Sequence, residues 1–302
     1  MEKRKFEKGE FTHIYQRTAE KCNIFYDLED YLVYYTIFSI LAKRYRIVCI
    51  GLCLMIDHIH TLVRADSMDV LSRFMSNVNI QFVKEYNSEY GRKGRLFERF
   101  GSAPKKGLKL LRTAIAYLYN NPVEKRLCRY AQDFRWNFLK YGQPGRRITP
   151  VSRYGSSLRR AVKEIDYAVA ANHPLRYKML HRLMDGLRTD EKKILTDHII
   201  QKYSVIRYDI LSDCYGGWDN VLMAINSNAG SEYSINEHGG THSDLEYREL
   251  YRFVRDCEFK RVGDVISLQR NEKMVLADNM LRNTSANKYQ ICSFLHLRCV
   301  TY

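Results

Sequence analysis

The sequence predicts an α+β fold with an antiparallel sheet, followed by a mainly α-helical C-terminal region. Strand-like and helix-like apolar patterns alternate up to residue 121 in the order strand, helix, strand, strand, helix, strand, helix. This order is typical of a ferredoxin-like sheet with one added helix. Beyond residue 157 the recurring patterns are helical. The stretch 141–157 is rich in Gly, Pro, Ser and Arg, so we predict domains at 1–145 and 146–302.

The elements of the first domain follow from the spacing of their apolar residues. Strands alternate apolar and polar positions, whereas helices repeat apolar positions every three or four residues. These patterns predict strands at 11–19, 46–54, 55–65 and 96–101, and helices at 27–44, 68–86 and 107–121. The last helix is expected to end at Asn121, because Pro122 disfavours helical backbone in the residue before it.

The second domain is predicted to be helical, with an exposed loop at 225–243. Helical periodicity covers 157–171, 176–188, 190–203 and 244–258. In the tail, one helix running to about Arg282 and a second starting near Ser285 are typical of a partial helix-turn-helix within 270–302. Few residues follow Leu297, too few for a complete recognition helix, and an ordinary helical core segment explains the pattern equally well.

The charge of the chain indicates a polyanionic partner. Lys and Arg number 49 against 34 Asp and Glu, a formal net charge of +15, and most of the excess lies in the first half. Between residues 92 and 147 only Glu98, Glu124 and Asp133 are acidic. Aromatic rings are interspersed there, and although any single ring is better explained as core, the span as a whole is typical of single-strand binding. The candidate DNA-binding residues are Arg92, Lys93, Arg95, Arg99, Lys105, Lys106 and Trp136.

The composition also indicates in which cellular compartment the protein is expected. The sequence has no run of about 18 apolar residues and no apolar segment directly after its charged start, so no membrane association is predicted. The eight cysteines are scattered without a closely spaced pair, which fits reduced thiols in a cytoplasm.

Two histidines form the first candidate chemical motif. In the run MIDHIHTLV, His58 and His60 lie on one face of the predicted strand, while Asp57 and Ile59 are expected on the other. Two imidazoles spaced in this way are close enough to bind one ion, and neutral imidazole is a common metal ligand. A bare pair of strand histidines is more often unrelated to metal, so this motif needs further ligands.

The helix at 107–121 supplies the second motif. Tyr117 and Asn121 are four residues apart, so they share one face of the helix, whereas Tyr119 faces away. The Asn121 amide oxygen is a candidate third ligand, and two imidazoles with a hard oxygen suit Mg²⁺ or Mn²⁺. Tyr117 would then be a nucleophile beside an ion that polarises a phosphodiester. Taken separately, Tyr117 is an ordinary packed residue and Asn121 a helix cap.

Together these motifs resemble the single-tyrosine HUH transposases, in particular the REP-associated tyrosine transposases of bacterial chromosomes. The strand motif of that family, similar to M-P-N-H-x-H, corresponds to Met55–His60, and the helix motif Y-I-x-x-N-P-V to Tyr117–Val123. A downstream D-Y-x-W-like segment corresponds to Asp133–Asn137. The resemblance covers about residues 10–142. The chain departs from it at Ile56 and Asp57, where Pro-Asn is usual, and this puts the shape of the turn in doubt more than the chemistry.

The resemblance implies an HUH endonuclease fold and a defined reaction. His58, His60 and Asn121 would hold Mg²⁺ or Mn²⁺, and Tyr117 would attack single-stranded or hairpin DNA. The products would be a 5′-phosphotyrosine link and a free 3′-hydroxyl, and a second 3′-hydroxyl could rejoin the strand without ATP. It also implies a monomer or homodimer in the bacterial cytoplasm, associated with the nucleoid.

Two other functions are compatible with the residues. A domesticated protein could bind or regulate at DNA hairpins without cutting them, although the set of ligands and tyrosine is complete. A metal hydrolase that activates water would be expected to offer more carboxylate ligands than this chain does. A further histidine pair, His238 and His242, lies in a Gly-rich segment without helical spacing, and we interpret it as plain loop.

Overall fold

The first part of the chain forms a four-stranded antiparallel sheet. A computed structural model describes residues 5–145, 154–227 and 245–297. The strands are β1 (Phe11–Arg17), β2 (Val48–Leu54), β3 (His58–Arg64) and β4 (Gly101–Lys105), and their order in the sheet is β2-β3-β1-β4. All three strand pairs are antiparallel. This is the topology of a ferredoxin-like sheet, so the predicted α+β fold is confirmed.

Three helices accompany the sheet: α1 (Leu28–Arg44), α2 (Met68–Glu89) and α3 (Gly107–Glu124). The N-terminus of α1 is capped by reciprocal contacts between Asp27 and Asp30, and that of α2 by the Ser67 hydroxyl, which accepts the Val70 N–H. The β1-α1-β2 and β3-α2-β4 crossovers place α1 and α2 in contact on one face of the sheet. The third helix, α3, lies against β2, β3 and β4 on the other face.

Two predicted boundaries in this part were wrong. The strand predicted at 96–101 is β4 at Gly101–Lys105, because residues 96–100 bury apolar side chains and meet the end of β1 and the residues just after it only around the isolated Thr18–Phe97 bridge, without a continuous ladder. The last helix continues past Asn121 to Glu124. A proline this close to the helix end removes one backbone donor, and the last turn is still closed by the Lys125 N–H bonding to the Asn121 carbonyl at 3.0 Å.

The described residues of the second part are mainly helical. The helices are α4 (Ser156–Ala170), α5 (Tyr177–Met184), α6 (Thr189–Tyr203), α7 (Tyr208–Asp213), α8 (Trp218–Ser227), α9 (Leu245–Asp256), α10 (Arg270–Asn283) and α11 (Lys288–Phe294). The patterns at 157–171, 176–188, 190–203 and 244–258 correspond to α4, α5, α6 and α9. The short α7 was not predicted, nor was α8, which enters the predicted loop. The rest of that loop, with His238 and His242, lies outside the described residues.

The pair α10 and α11 occupies the predicted tail. The seven-residue helix α11 is largely buried, and the Ser293 hydroxyl donates to the Lys21 carbonyl at 2.6 Å. In addition, the Tyr26 hydroxyl donates to the Phe294 carbonyl at 2.5 Å. The second helix of the pair is therefore anchored to the segment that joins β1 and α1. Its assignment as part of a helix-turn-helix stays a prediction.

One hydrophobic core runs through both parts of the chain. At its centre, the buried Asp30 of α1 accepts hydrogen bonds from the hydroxyls of Tyr90 and Tyr177, each at 2.7 Å. Its second oxygen accepts the backbone N–H groups of Tyr26 and Asp27. Burial raises the pKa of Asp30 to about 7, Asp27 adds to the rise, and these donated bonds oppose it. Because Tyr177 belongs to α5, this carboxyl group joins the two parts. The division into two domains stays a proposal.

The bond between Tyr177 and Asp30 gives a stability prediction. We expect Tyr177→Phe to lower the free energy of unfolding by about 1.5 kcal/mol, because the buried carboxyl group loses one donor. Urea denaturation at pH 8 would measure this. The matched control is Tyr167→Phe, at a tyrosine that is 75% exposed, where the change should stay within about 0.5 kcal/mol. Equal effects in the two variants would contradict the role given to Asp30.

Candidate active site

The candidate site lies on the sheet face that α3 covers. His58 and His60 belong to β3, and the register places them directly opposite Arg17 and Tyr15 of β1. Helix α3 comes close at Gly51 of β2, where an added Cβ would lie 3.3 Å from the Leu118 side chain. The small residue at position 51 therefore lets the helix approach the sheet.

His60 is the centre of the site. Its ring is fully buried, and both ring nitrogens lie close to polar side chains: Nδ1 lies 3.1 Å from Nε2 of His13, and Nε2 lies 3.2 Å from Nδ2 of Asn121. With the amide in this orientation, the Nε2 lone pair of His60 accepts from Asn121. The His60 proton is then on Nδ1 and is donated to His13. With the roles assigned in this way, His60 is the tautomer that carries its proton on Nδ1.

His13 is a site residue that sequence reasoning missed. It lies on β1, diagonally across from His60, and the two rings stack with centroids 5.2 Å apart. Burial lowers the pKa of His13 well below its usual value, and the nearby His60 and Lys105 add to this. A neutral His13 can accept the His60 proton. The alternation of β1 places His13 on one of its two faces, but only the strand register reveals that this is the face of His60.

His58 has a different neighbour. Its Nδ1 lies 2.5 Å from Oδ1 of Asp57. Burial acts to raise the pKa of Asp57, but the charge and hydrogen bond of His58, with Lys125 and Arg17 nearby, hold it below its usual value. The prediction that Asp57 faces away from the histidines was wrong. Strand alternation does not apply to it, because β3 begins at His58 and residue 57 belongs to the preceding bend.

Tyr117 reaches the same place from α3. Its ring meets those of His60 and His13 edge-on, with centroids 5.6 and 5.9 Å apart. Only 6% of the residue is exposed. Tyr119 faces away as predicted: it is buried, and its hydroxyl donates to the Ile50 carbonyl at 2.9 Å. Tyr117 and Asn121 therefore both lie beside His60, and the ring of His58 lies next to it as well, with centroids 4.9 Å apart.

The donor types suit a small divalent cation once the Asn121 amide is turned over, so that its oxygen instead of its nitrogen faces Nε2 of His60 and leaves that lone pair to the ion. In the described parts of the chain, no group of three or more His, Cys, Asp or Glu side chains is arranged to hold a metal ion. The set here is instead two imidazoles and an amide. The buried Oδ1 of Asn121 has no hydrogen-bond partner among the described residues, although its Nδ2 contacts His60. An uncompensated buried oxygen is costly, and a bound cation would satisfy it.

The candidate DNA-binding residues differ in their exposure and in their contacts. Lys93, Arg95, Arg99 and Lys106 are exposed, and Arg92 and Lys105 are partly buried. Lys106 pairs with Glu7 at 2.5 Å, and burial lowers the pKa of Lys105. The Trp136 ring is buried and stacks on Tyr31 with centroids 4.1 Å apart, so one of its faces is already covered by protein.

Comparison with known families bears on this site. Residues 11–101 match the family model described as IS200-like transposase. This region is similar to the IS200-like transposases. The match runs from β1 to the start of β4, so it includes His13, His58 and His60, whereas Tyr117 and Asn121 lie beyond it. The transposase resemblance stated from the motifs is confirmed.

Other comparisons are more distant. A solved structure described as a REP-associated tyrosine transposase bound to a REP hairpin shares 16% sequence identity with this chain. The similarity covers 52% of this chain and 92% of that one, with a TM-score of 0.40, too low to add to the family match. No curated protein matches the chain. In the described ranges, no helix is both long and apolar enough to cross a bilayer.

Proposed function

We propose that this transposase-like chain cleaves and rejoins single-stranded or hairpin DNA, with Tyr117 as the nucleophile and Mg²⁺ or Mn²⁺ held by His58, His60 and Asn121. The observation that carries the proposal is the position of α3. One helix face brings a tyrosine ring and an amide to the same buried imidazole, His60. A hydroxyl group and an amide oxygen beside one imidazole are what a nucleophile next to a metal ligand requires.

The reaction would exchange one ester for another. The Tyr117 hydroxyl gives up its proton as its oxygen attacks phosphorus and forms a phosphotyrosine bond, while the bond from phosphorus to the 3′-oxygen breaks and that oxygen takes up one proton, so that no proton is gained or lost overall. A second 3′-hydroxyl reverses the exchange, releases the tyrosine and joins the strands. The divalent ion, when bound, would polarise the phosphodiester and stabilise the charge that develops on it.

Neighbouring side chains would orient the two histidines that are proposed to hold the ion. His13 would hold His60 in the tautomer whose Nε2 lone pair faces Asn121, and Asp57 would fix the ring of His58 in the same manner. Such outer contacts orient ligating histidines and raise their basicity. The cationic Lys105, close enough to influence His13, would attract a phosphate backbone towards the sheet.

Tyr117→Phe should abolish the covalent adduct with single-stranded hairpin DNA while DNA binding changes by no more than a few-fold. Phenylalanine keeps the ring for packing but removes the attacking oxygen. Adduct trapping on denaturing gels would measure this. The matched control is Tyr15→Phe, because Tyr15 lies on the same sheet face opposite His60 and should retain the adduct.

If the adduct persists in Tyr117→Phe and disappears in Tyr15→Phe, the nucleophile is Tyr15 of β1 and not Tyr117. No adduct with the unaltered chain, together with tight binding of hairpins, would favour the non-cleaving alternative.

Cleavage should also depend on the proposed metal ligands. His58→Ala and His60→Ala should each lower the cleavage rate about tenfold to a hundredfold or more, because a hard ion is left with too few protein ligands. Asn121→Ala should be milder, since water can replace a neutral oxygen ligand. A chelator should stop cleavage and added Mg²⁺ or Mn²⁺ should restore it, with DNA binding largely retained. Full cleavage by the double histidine variant in chelator would disprove metal dependence.

The role of His13 can be tested without catalysis. In a Tyr117→Phe background, His13→Ala should weaken Mn²⁺ binding by about tenfold to a hundredfold, because His60 loses the contact that fixes its tautomer. His13→Gln offers an accepting oxygen and should stay within a few-fold. Calorimetric titration with Mn²⁺ would give the affinities, and His173→Ala, at an exposed histidine of the second part, is the control. Equal loss in the alanine and glutamine variants would argue that His13 only fills space.

A further inference from the structure

A groove between α4 and α5 lies away from the candidate active site. Its volume is about 880 Å³, within the range of about 300–1,000 Å³ that is usual for binding pockets. Helix α4 presents Arg160, Lys163 and Tyr167 to it, three residues on one helix face, while Leu158 and Ile165 on the opposite face are buried. The groove is therefore built by the exposed side of a well-anchored helix.

The rim of the groove is strongly basic. Five Arg and Lys side chains line it, with Glu164 as the acidic residue among them. The charge of Glu164 is already matched, because its carboxylate accepts the Arg182 guanidinium at 3.1 Å. Lys163 and Lys178 are exposed and form no ion pair among the described residues. The groove thus has an excess of cations that the protein does not neutralise.

The remaining side chains that line the groove are largely apolar. Tyr167 is 75% exposed, unusually open for a ring of this size. Ala168, Pro174 and Met179 complete the apolar lining. An exposed flat ring and apolar side chains among cationic ones form the combination that binds unstacked bases and their phosphates at once.

We propose that this groove is a second binding site for single-stranded DNA, with Tyr167 stacking on a base and Lys163 and Lys178 contacting the backbone. Duplex DNA would not contact the apolar lining with its bases, because these are already stacked on one another. An apolar small molecule would leave the cationic rim unused. That the bound single strand is DNA and not RNA rests on the proposed function.

The groove would hold a different stretch of the strand from the one at Tyr117. The start of α5 is tied to α2 by an ion pair between Arg176, the residue before the helix, and Glu85 at 3.2 Å, and Nε2 of His181 lies 3.3 Å from the Glu89 carboxylate. Helix α2 lies on the sheet face opposite α3, so the sheet separates the groove from the candidate active site. A strand that occupies both must pass around the edge of the protein.

Fluorescence anisotropy with a labelled dT homopolymer tests the proposal on the full chain. Tyr167→Ala should weaken binding about fivefold or more, and Tyr167→Phe, which keeps the stacking ring, should bind like the unaltered chain. Lys163→Ala with Lys178→Ala should reduce the slope of log affinity against log salt by about 1.4, since each phosphate contact on a single strand contributes about 0.7. The control is Lys193→Ala, at an exposed lysine of α6 outside the groove.

Direct contact would be mapped by photo-crosslinking with 4-thiothymidine, and crosslinks are expected in α4 and α5. Unchanged affinity and salt slope in the groove variants would overturn the proposal. So would crosslinks confined to other elements, or tighter binding of an rU homopolymer than of dT.

Adduct trapping on the same samples separates this proposal from the proposed function. The groove variants should still form the Tyr117 adduct when DNA is saturating. If the unaltered chain forms no adduct while Tyr167→Ala still weakens dT binding, cleavage is disproved and the groove site stands. If the adduct forms and the groove variants bind normally, the groove site is disproved and cleavage stands.

Discussion

The register between β1 and β3 is the constraint on which the candidate site depends. It pairs Tyr15 with His60 and so places His13 diagonally beside that ring, within hydrogen-bonding distance. A slip of one residue would turn His13 to the opposite face of the sheet, and His60 would lose the contact that fixes its proton. The buried residues on both faces of these central strands resist such a slip. The chemistry of the site is therefore set by strand pairing as much as by the histidine motif itself.

The second part of the chain supports the sheet from the face opposite the candidate site, where α1 and α2 lie. Asp30 is buried in α1, and such a carboxyl group is tolerated only when its oxygens are fully hydrogen-bonded. Two of its four donors come from backbone beside it, one from the end of α2 and one from α5. The helical layer that supports the sheet is thus completed by residues far along the sequence. This explains why the hydrophobic core continues through the chain.

Local patterns allowed much of the fold and part of the site to be predicted. The order of strands and helices follows from periodicity within single elements, and so does the placing of His58 with His60 on one strand face. Periodicity likewise places Tyr117 with Asn121 on one helix face, whereas the meeting of the two pairs was implied by the family resemblance, because it depends on how α3 packs on the sheet. What could not be predicted depends on contacts between elements or on where an element begins. His13 requires the strand register, Asp57 requires the start of β3, and the true position of β4 requires its pairing with β1. Helices as short as α7 contain too few residues for periodicity to be recognised.

The distribution of charge over the folded surface also could not be predicted from local sequence. By sequence, the first half holds most of the positive excess, and the second half gives little reason to expect a polyanionic partner. Folding changes this, because it gathers five Lys and Arg side chains of the second half around one groove with Glu164 as the acidic residue in the lining, and Lys163 and Lys178 stay exposed there. Attraction to a phosphate backbone depends on the local field rather than on the net charge of a segment. A nearly neutral region can therefore present a strongly basic surface, and the exposed ring of Tyr167 gives that surface a means of holding a base.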